Sequence, residues 1–150
     1  MIYKVALIGF GYWGPKLARN INNSNNFEIK YIVDNNQKNL DKAKKDFPIS
    51  NRLKNYKALD KNIVDLVVIS SPTKTHFNIA KYFLSSCNVL IEKPLSLNSK
   101  DVIKLENIAK INNKLLFVDY PFIFSGSINY IKNIIKDKRY GKLLEIESFR

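Results

Sequence analysis

A doubly wound parallel α/β sheet is the fold this sequence predicts, and three observations predict it. Short, continuous apolar runs recur along the chain, among them Val5-Ala6-Leu7-Ile8, Leu66-Val67-Val68-Ile69 and Leu115-Leu116-Phe117-Val118. These runs lack a polar face, so they must be covered on both sides, as in a parallel sheet flanked by helices. Segments with helical spacing separate them, and strand–helix alternation leads to the same architecture.

The elements follow in chain order. After the first strand, a helix is expected over 12–22, where Trp13, Leu17 and Ile21 recur every four residues and set one apolar stripe inward. Pro15 suits the first turn of that helix, where a missing N–H costs nothing. A second strand over 29–33 and a second helix over 37–47 come next. The polar stretch 48–55 reads as a short edge strand, and 56–60 as a helical turn. Then come a strand over 66–69, a helix over 75–85, a strand over 89–91, a helix over 99–112 and a strand over 115–118. Beyond about residue 120 the pattern changes. Ile128, Ile131, Ile134 and Ile135 predict a helix over 127–138, and 143–150 alternates like a strand. The expected organisation is a doubly wound domain over 1–120, then the incomplete opening of a second, α+β domain over 121–150. An unpaired last strand would promote association.

Composition narrows the function. With 150 residues and 45% hydrophobic content the chain can build a core and is not a disordered chain. One cysteine rules out a disulfide framework and a Cys-rich metal site, and no metal is expected. No apolar run approaches the roughly 20 residues of a membrane span, and the N-terminus lacks a signal-peptide pattern. A soluble cytoplasmic protein is expected. The net charge of +12 raises the question of nucleic acid. Lys outnumbers Arg 21 to 4, the lysines are scattered, and Asn and Ile, with 19 each, are nearly as abundant. All three have A/T-rich codons, so codon bias accounts for the excess, and no nucleic-acid partner is expected.

The sharpest motif is Gly9-Phe10-Gly11-Tyr12-Trp13-Gly14, a G-x-G-x-x-G that follows a buried strand and opens a helix. In that context Gly9 allows the tight turn, Gly11 lets backbone approach a pyrophosphate, and Gly14 lets the helix pack closely. The helix N-terminus offers unpaired N–H groups to phosphate. An ordinary strand–helix turn is the plainer alternative. Asp34 ends the second strand 20 positions after Gly14, where a carboxylate accepts the adenosine ribose hydroxyls and repels the extra phosphate of NADP. NAD is therefore the expected cofactor, with Lys38 the one nearby cation that would favour NADP. The alternative for Asp34 is a helix cap or surface turn.

The loop Ser70-Ser71-Pro72-Thr73-Lys74-Thr75-His76 follows the fourth strand and faces the Gly-rich loop across the crevice where strand order reverses. Its hydroxyls and backbone can line the cofactor. Equally, Pro72 can end the strand while Thr73 or Thr75 caps the helix. Glu92-Lys93-Pro94 ends the next strand. An ammonium there, beside the nicotinamide position, can hold a substrate hydroxyl and handle its proton; the plainer reading is a surface lysine. His76, the one histidine, has no carboxylate partner legible in sequence, which favours packing or capping over catalysis.

Together these features resemble the Gfo/Idh/MocA family of NAD(P)-dependent oxidoreductases. The match is carried by VALIGFGYWGPKLARN at 5–20, Asp34, SSPTKTHFNIAKYFLSSCNVLIEKPLS at 70–96 and FVDYPFIFSGSINYIKNIIKDKRYGKLLEIESFR at 117–150. The resemblance implies a Rossmann fold with Gly9, Phe10, Gly11, Tyr12, Trp13 and Gly14 on the pyrophosphate and Asp34 on the ribose. It implies that Ser70, Ser71, Pro72, Thr73 and His76 lie along the cofactor, that Glu92 approaches the nicotinamide, and that Lys93 binds substrate and is catalytic. It further implies hydride transfer from a sugar, cyclitol or nucleotide-sugar carbon, a cis bond before Pro94, and homo-oligomeric full-length relatives. Two departures stand out. Asp119-Tyr120 occupies the place where relatives often carry His or Asn, and the family's acid/base histidine lies in a second domain that this sequence does not contain. The alternatives to an enzyme are a non-catalytic dinucleotide-binding module, or remnant of such an enzyme, and a basic nucleic-acid-binding domain.

Overall fold

The computed structural model describes residues 1–137 and 139–149. The chain divides into two compact units, Met1–Asp119 and Tyr120–Arg150.

The first unit alternates strands and helices throughout: β1 (Tyr3–Ile8), α1 (Gly14–Asn22), β2 (Phe27–Val33), α2 (Gln37–Asp46), β3 (Asn51–Leu53), β4 (Leu66–Ile69), α3 (Thr73–Phe83), β5 (Asn88–Glu92), α4 (Ser99–Ile111) and β6 (Leu116–Asp119). Single 3-10 turns at Tyr56–Ala58 and Lys61–Ile63 fill the connection from β3 to β4. Every strand pair is parallel, and the sheet order is β3-β2-β1-β4-β5-β6. The order reverses between β1 and β4, so the loops leaving their carboxyl ends stand side by side. This is the place where open α/β sheets bind ligands.

Apolar side chains fill both faces of the sheet. Ala6, Ile8, Val67 and Ile69 share one face with Phe83 of α3 and Leu105 of α4. Val5, Leu7 and Val68 share the other with Ala18 of α1 and Ala43 of α2. Successive residues of β1 and β4 thus go to opposite cores, which is why those runs have no polar member. Burying a side chain such as Phe83, with no exposed surface, contributes about 1.5–3 kcal/mol.

Several expectations need correction. Helix α1 begins at Gly14, two residues later than its spacing predicts, because Tyr12 and Trp13 still belong to the glycine turn. Its buried residues are Gly14 and Ala18, and Trp13 is 45% exposed rather than the head of an inward stripe. Helix α3 begins at Thr73, earlier than expected, and neither Thr73 nor Thr75 caps it. Pro72 precedes the first turn, and its carbonyl accepts from both the N–H and the hydroxyl of Thr75 (2.8 and 2.7 Å).

The second unit holds a 3-10 turn, Pro121–Phe124, and α5 (Gly126–Asp137). The Asn129 side-chain amide donates to the Ile123 carbonyl and ties the two together (3.2 Å). The strand expected over 143–150 is not formed: residues 141–149 have no strand among the described residues, although their pattern alternates. A strand is held by hydrogen bonds to a neighbour, and alternation without a partner does not supply them. The reason given for association through that strand therefore falls away. The expected ends of this helix and strand, Lys138 and Arg150, lie outside the described residues.

Candidate functional site

The glycine turn is shaped by steric necessity at two positions. Gly9 has φ +96°, and a Cβ there would stand 2.6 Å from Ser71 N and 2.7 Å from the Ser70 carbonyl carbon. The turn after β1 thus lies flush against the loop after β4. The Ser70 hydroxyl adds a hydrogen bond to the Gly9 carbonyl (2.8 Å). A Cβ on Gly14 would collide with the Gly9 carbonyl oxygen. Gly14 therefore lets α1 close onto its own turn, whereas the sequence suggested close packing on the sheet. Gly11 is different. A Cβ there would meet nothing within 4 Å, so the space in front of it is open.

Helix α1 starts three residues after Gly11. The helix has no side-chain cap and no acidic residue in its first turn. Among the described residues, no internal acceptor takes the N–H groups of Gly11, Tyr12, Trp13 or Gly14. A helix N-terminus left in this state carries partial positive charge and suits an anion. Phe10 contributes differently from its neighbours. Its side chain is buried and packs edge-on against Phe47, and its N–H is already used. Tyr12 and Trp13 are exposed, with the Lys16 ammonium over their rings at 3.8 and 4.2 Å.

The Phe10 N–H is used by Asp34. One oxygen of the Asp34 carboxylate accepts from Phe10 N at 2.7 Å and from the Asn39 side-chain amide at 3.1 Å. The other accepts from Asn36 N at 2.8 Å. Asp34 therefore closes a turn, as one reading of its sequence position has it, and also anchors the glycine loop. A carboxylate offers about four lone-pair positions, so three internal donors leave room for one more. That is one hydroxyl fewer than a ribose diol would bring to a free carboxylate.

Around Asp34 lies a cleft of about 540 Å³ lined by Gly9, Asp34, Ser71 and Pro72. Sequence reasoning missed several of its walls. Lys54, Asn55 and Tyr56 come from the loop after β3, and Asn78 and Ile79 from α3. Two signals pointed there: the carboxyl end of β3 shares the ligand edge of the sheet, and 74, 75, 78 and 79 fall on one side of a helix. Lys54 and Lys74 also put two ammonium groups on the same cleft as Asp34. Of the loop 70–76 singled out in sequence, Ser71, Pro72, Lys74 and Thr75 reach this cleft, whereas Ser70, Thr73 and His76 do not. The Ser71 hydroxyl donates to Thr75 Oγ1 (2.7 Å), whose own proton goes to Pro72.

Farther along the same edge, β5 ends in Glu92 and Lys93 follows it, with Asp119 of β6 in register beside Glu92. Burial raises the Glu92 carboxyl above its ordinary range, and the Asp119 charge raises it further, against the opposing pull of Lys93 and His76. Lys93 is exposed, and the Lys93–Pro94 peptide is cis. His76 does not line that cleft: it is 1% exposed, with both ring nitrogens against backbone carbonyls. Among the described residues, no group of three or more His, Cys, Asp or Glu side chains could hold a metal ion. No described helix is long and apolar enough to cross a membrane.

The residues fit a dinucleotide on three counts: the open face at Gly11, the unused N–H groups at the head of α1, and the remaining acceptor position on Asp34. Comparison with known proteins agrees. The model of an oxidoreductase family with an NAD-binding Rossmann fold matches residues 3–120. The chain is 23% identical over 145 residues to the 2,7-anhydro-N-acetylneuraminate hydratase of Escherichia coli, covering 96% of this chain and 38% of that protein. It is 28% identical over 88 residues to the dTDP-3,4-didehydro-2,6-dideoxy-alpha-D-glucose 3-reductase of Saccharopolyspora spinosa, covering 58% and 26%. The crystal structure of myo-inositol 2-dehydrogenase from Lactobacillus plantarum superposes with a TM-score of 0.86 at 24% identity, over 96% of this chain and 44% of that one. The chain thus spans less than half the length of each.

Proposed function

Because the chain belongs to the Gfo/Idh/MocA oxidoreductase family, we propose that it holds NAD across the switch point of its sheet and serves hydride transfer from a hydroxyl-bearing carbon of a sugar, cyclitol or nucleotide sugar. The observation that carries this reading is the 2.7 Å bond from Phe10 N to the Asp34 carboxylate. It fixes the ribose acceptor and the phosphate cradle as one rigid piece before any ligand arrives. Such preorganisation lowers the cost of ordering on binding.

In this reading the N–H groups of Gly11, Tyr12, Trp13 and Gly14 receive the pyrophosphate, Asp34 accepts one ribose hydroxyl, and the cleft between Asp34 and α3 takes the adenosine end. When bound, the nicotinamide supplies the hydride acceptor. Lys93, exposed at the end of β5, donates a hydrogen bond to the substrate oxygen and takes part in moving its proton. Glu92 stands beside it in a desolvated position. The relatives' names support the substrate class, since one acts on a nucleotide sugar and another on a cyclitol. The preference for NAD rests on Asp34, whose charge opposes a 2′-phosphate, with Lys54 and Lys74 acting against it.

Calorimetric titration with NAD, NADH and NADP tests this reading. Unmodified protein should bind NAD more tightly than NADP. Asp34→Ala should weaken NAD at least tenfold, about 1.4 kcal/mol, and narrow the gap to NADP; equal binding of both cofactors before and after the substitution would contradict it. The relatives are longer than this chain, and the family resemblance assigns most substrate contacts to a second domain. The 150 residues alone should therefore turn over a sugar weakly or not at all, as NAD reduction assays would register.

A further inference from the structure

Asp34 has room for one ribose hydroxyl, and a ribose brings two. Three internal donors already occupy the carboxylate: the N–H groups of Phe10 and Asn36 and the Asn39 side-chain amide. About four lone-pair positions exist in all. The second ribose hydroxyl therefore turns from Asp34 to the rest of the cleft. The charged side chains lining that rest are both cations, Lys54 and Lys74, with Asn55 and Asn78 on the same walls. The Asn55 side-chain oxygen already accepts from Lys57 N (3.0 Å), which leaves its amide to donate. Among the described residues, neither ammonium is in an ion pair. Lys54 also borders a shallower hollow with Asp41, but that carboxylate accepts from the Gln37 amide (2.9 Å). Lys38, the cation that follows Asp34 in sequence, does not line the cleft.

Two ammonium groups against one carboxylate leave the cleft with a surplus positive charge. An unsubstituted adenosine is neutral and matches neither ammonium. A phosphate monoester carries about −1.5 to −2 charge at neutral pH and several strong acceptor oxygens. Its contacts with ammonium groups are charge-assisted, roughly twice as strong as neutral hydrogen bonds. We propose that Lys54 and Lys74 receive a phosphate on the 2′ position of the adenosine ribose, so that NADP is a second cofactor of this site beside NAD. Asp34 keeps the 3′-hydroxyl with either cofactor. Its charge opposes the phosphate and keeps NAD the tighter ligand, while the two ammonium groups offset that repulsion. This inference rests on the reading that the cleft takes the adenosine end of a dinucleotide.

Calorimetry with NAD and NADP at a series of salt concentrations tests it. Unmodified protein should bind NADP within about tenfold of NAD. Added salt should weaken NADP more steeply than NAD, because only NADP gains from the two exposed ammonium groups. Lys54→Gln combined with Lys74→Gln should lower the ratio of NADP to NAD affinity at least tenfold, with the urea midpoint registering the fold. In that variant adenosine 2′,5′-bisphosphate should lose affinity at least fivefold and the 3′,5′ isomer distinctly less. A ratio unmoved by the double substitution, equal salt dependence of the two cofactors, or equal losses for the two isomers would overturn the proposal. If the double variant does not fold, the salt comparison on unmodified protein decides. NAD binding with an unmoved ratio removes this inference alone, whereas failure of both cofactors to bind removes the reading of the cleft with it.

Discussion

The two ends of the candidate site are built differently. At the Asp34 end, polar groups are locked to one another: Asp34 takes three internal donors, Ser70 holds the Gly9 carbonyl, and the hydroxyls of Ser71 and Thr75 chain to the Pro72 carbonyl. At the β5 end, Lys93 is exposed and Glu92 is raised by burial and a neighbouring carboxylate. The first arrangement is that of a holder, finished before its ligand arrives. The second keeps titratable groups accessible, as proton handling requires. The difference teaches that binding and chemistry here should respond to separate substitutions.

The largest effect expected is on folding. Gly9→Ala places a Cβ against Ser71 N in a backbone conformation that L side chains rarely adopt. Strain and overpacking together should cost about 2–5 kcal/mol, read as a lowered urea midpoint; an unchanged midpoint would break the account of a holder built by close approach. Gly11→Ala sharpens the contrast. Its Cβ meets nothing, so stability should move by no more than about 0.5 kcal/mol, while NAD affinity falls at least tenfold, about 1.4 kcal/mol, in calorimetry. Equal losses at the two glycines would show that Gly11 serves the turn and not a ligand.

These two glycines also show what the sequence reveals and what it hides. G-x-G-x-x-G made the turn between β1 and α1 legible, because the spacing itself encodes a strand, a turn and a helix. It did not show that Gly9 is fixed by Ser70 and Ser71, 61 and 62 positions away, since that contact exists only once β1 and β4 pair. The same limit explains Asp34. Its position after β2 is readable, but its three internal donors depend on how the glycine loop folds back. Trp13 was misread because a four-residue period does not show where a helix begins. The strand expected over 143–150 failed because alternation reports a suitable surface and not the presence of a partner. Lys54 and Asn55 were missed because short polar loops carry no periodicity. The parallel sheet, by contrast, was legible, since two-sided burial leaves the runs Val5–Ile8 and Leu66–Ile69 at its centre without a polar member.

At the other end, Lys93→Ala should leave NAD affinity within about twofold, a change of roughly 0.4 kcal/mol, and leave the urea midpoint in place. A tenfold loss of NAD would merge the two ends into one binding surface. The smallest effect expected is at Glu92. Its carboxyl titrates higher in the folded protein than in the unfolded chain, so within that window the folded state holds the extra proton. Stability should therefore fall as pH rises through the folded titration range and be greater below it. Glu92→Gln should flatten that part of the stability–pH profile, measured by urea unfolding at a series of pH values; a slope of the opposite sign would show that its neighbours favour the charged form.

The most direct test is a crystal structure with NAD bound. The pyrophosphate should rest on the N–H groups of residues 11–14, one adenosine ribose hydroxyl on Asp34, and the adenosine in the cleft bounded by Lys54 and Lys74. A dinucleotide seated elsewhere, or Asp34 engaged only with Phe10, Asn36 and Asn39 while the ligand is fully bound, would contradict it.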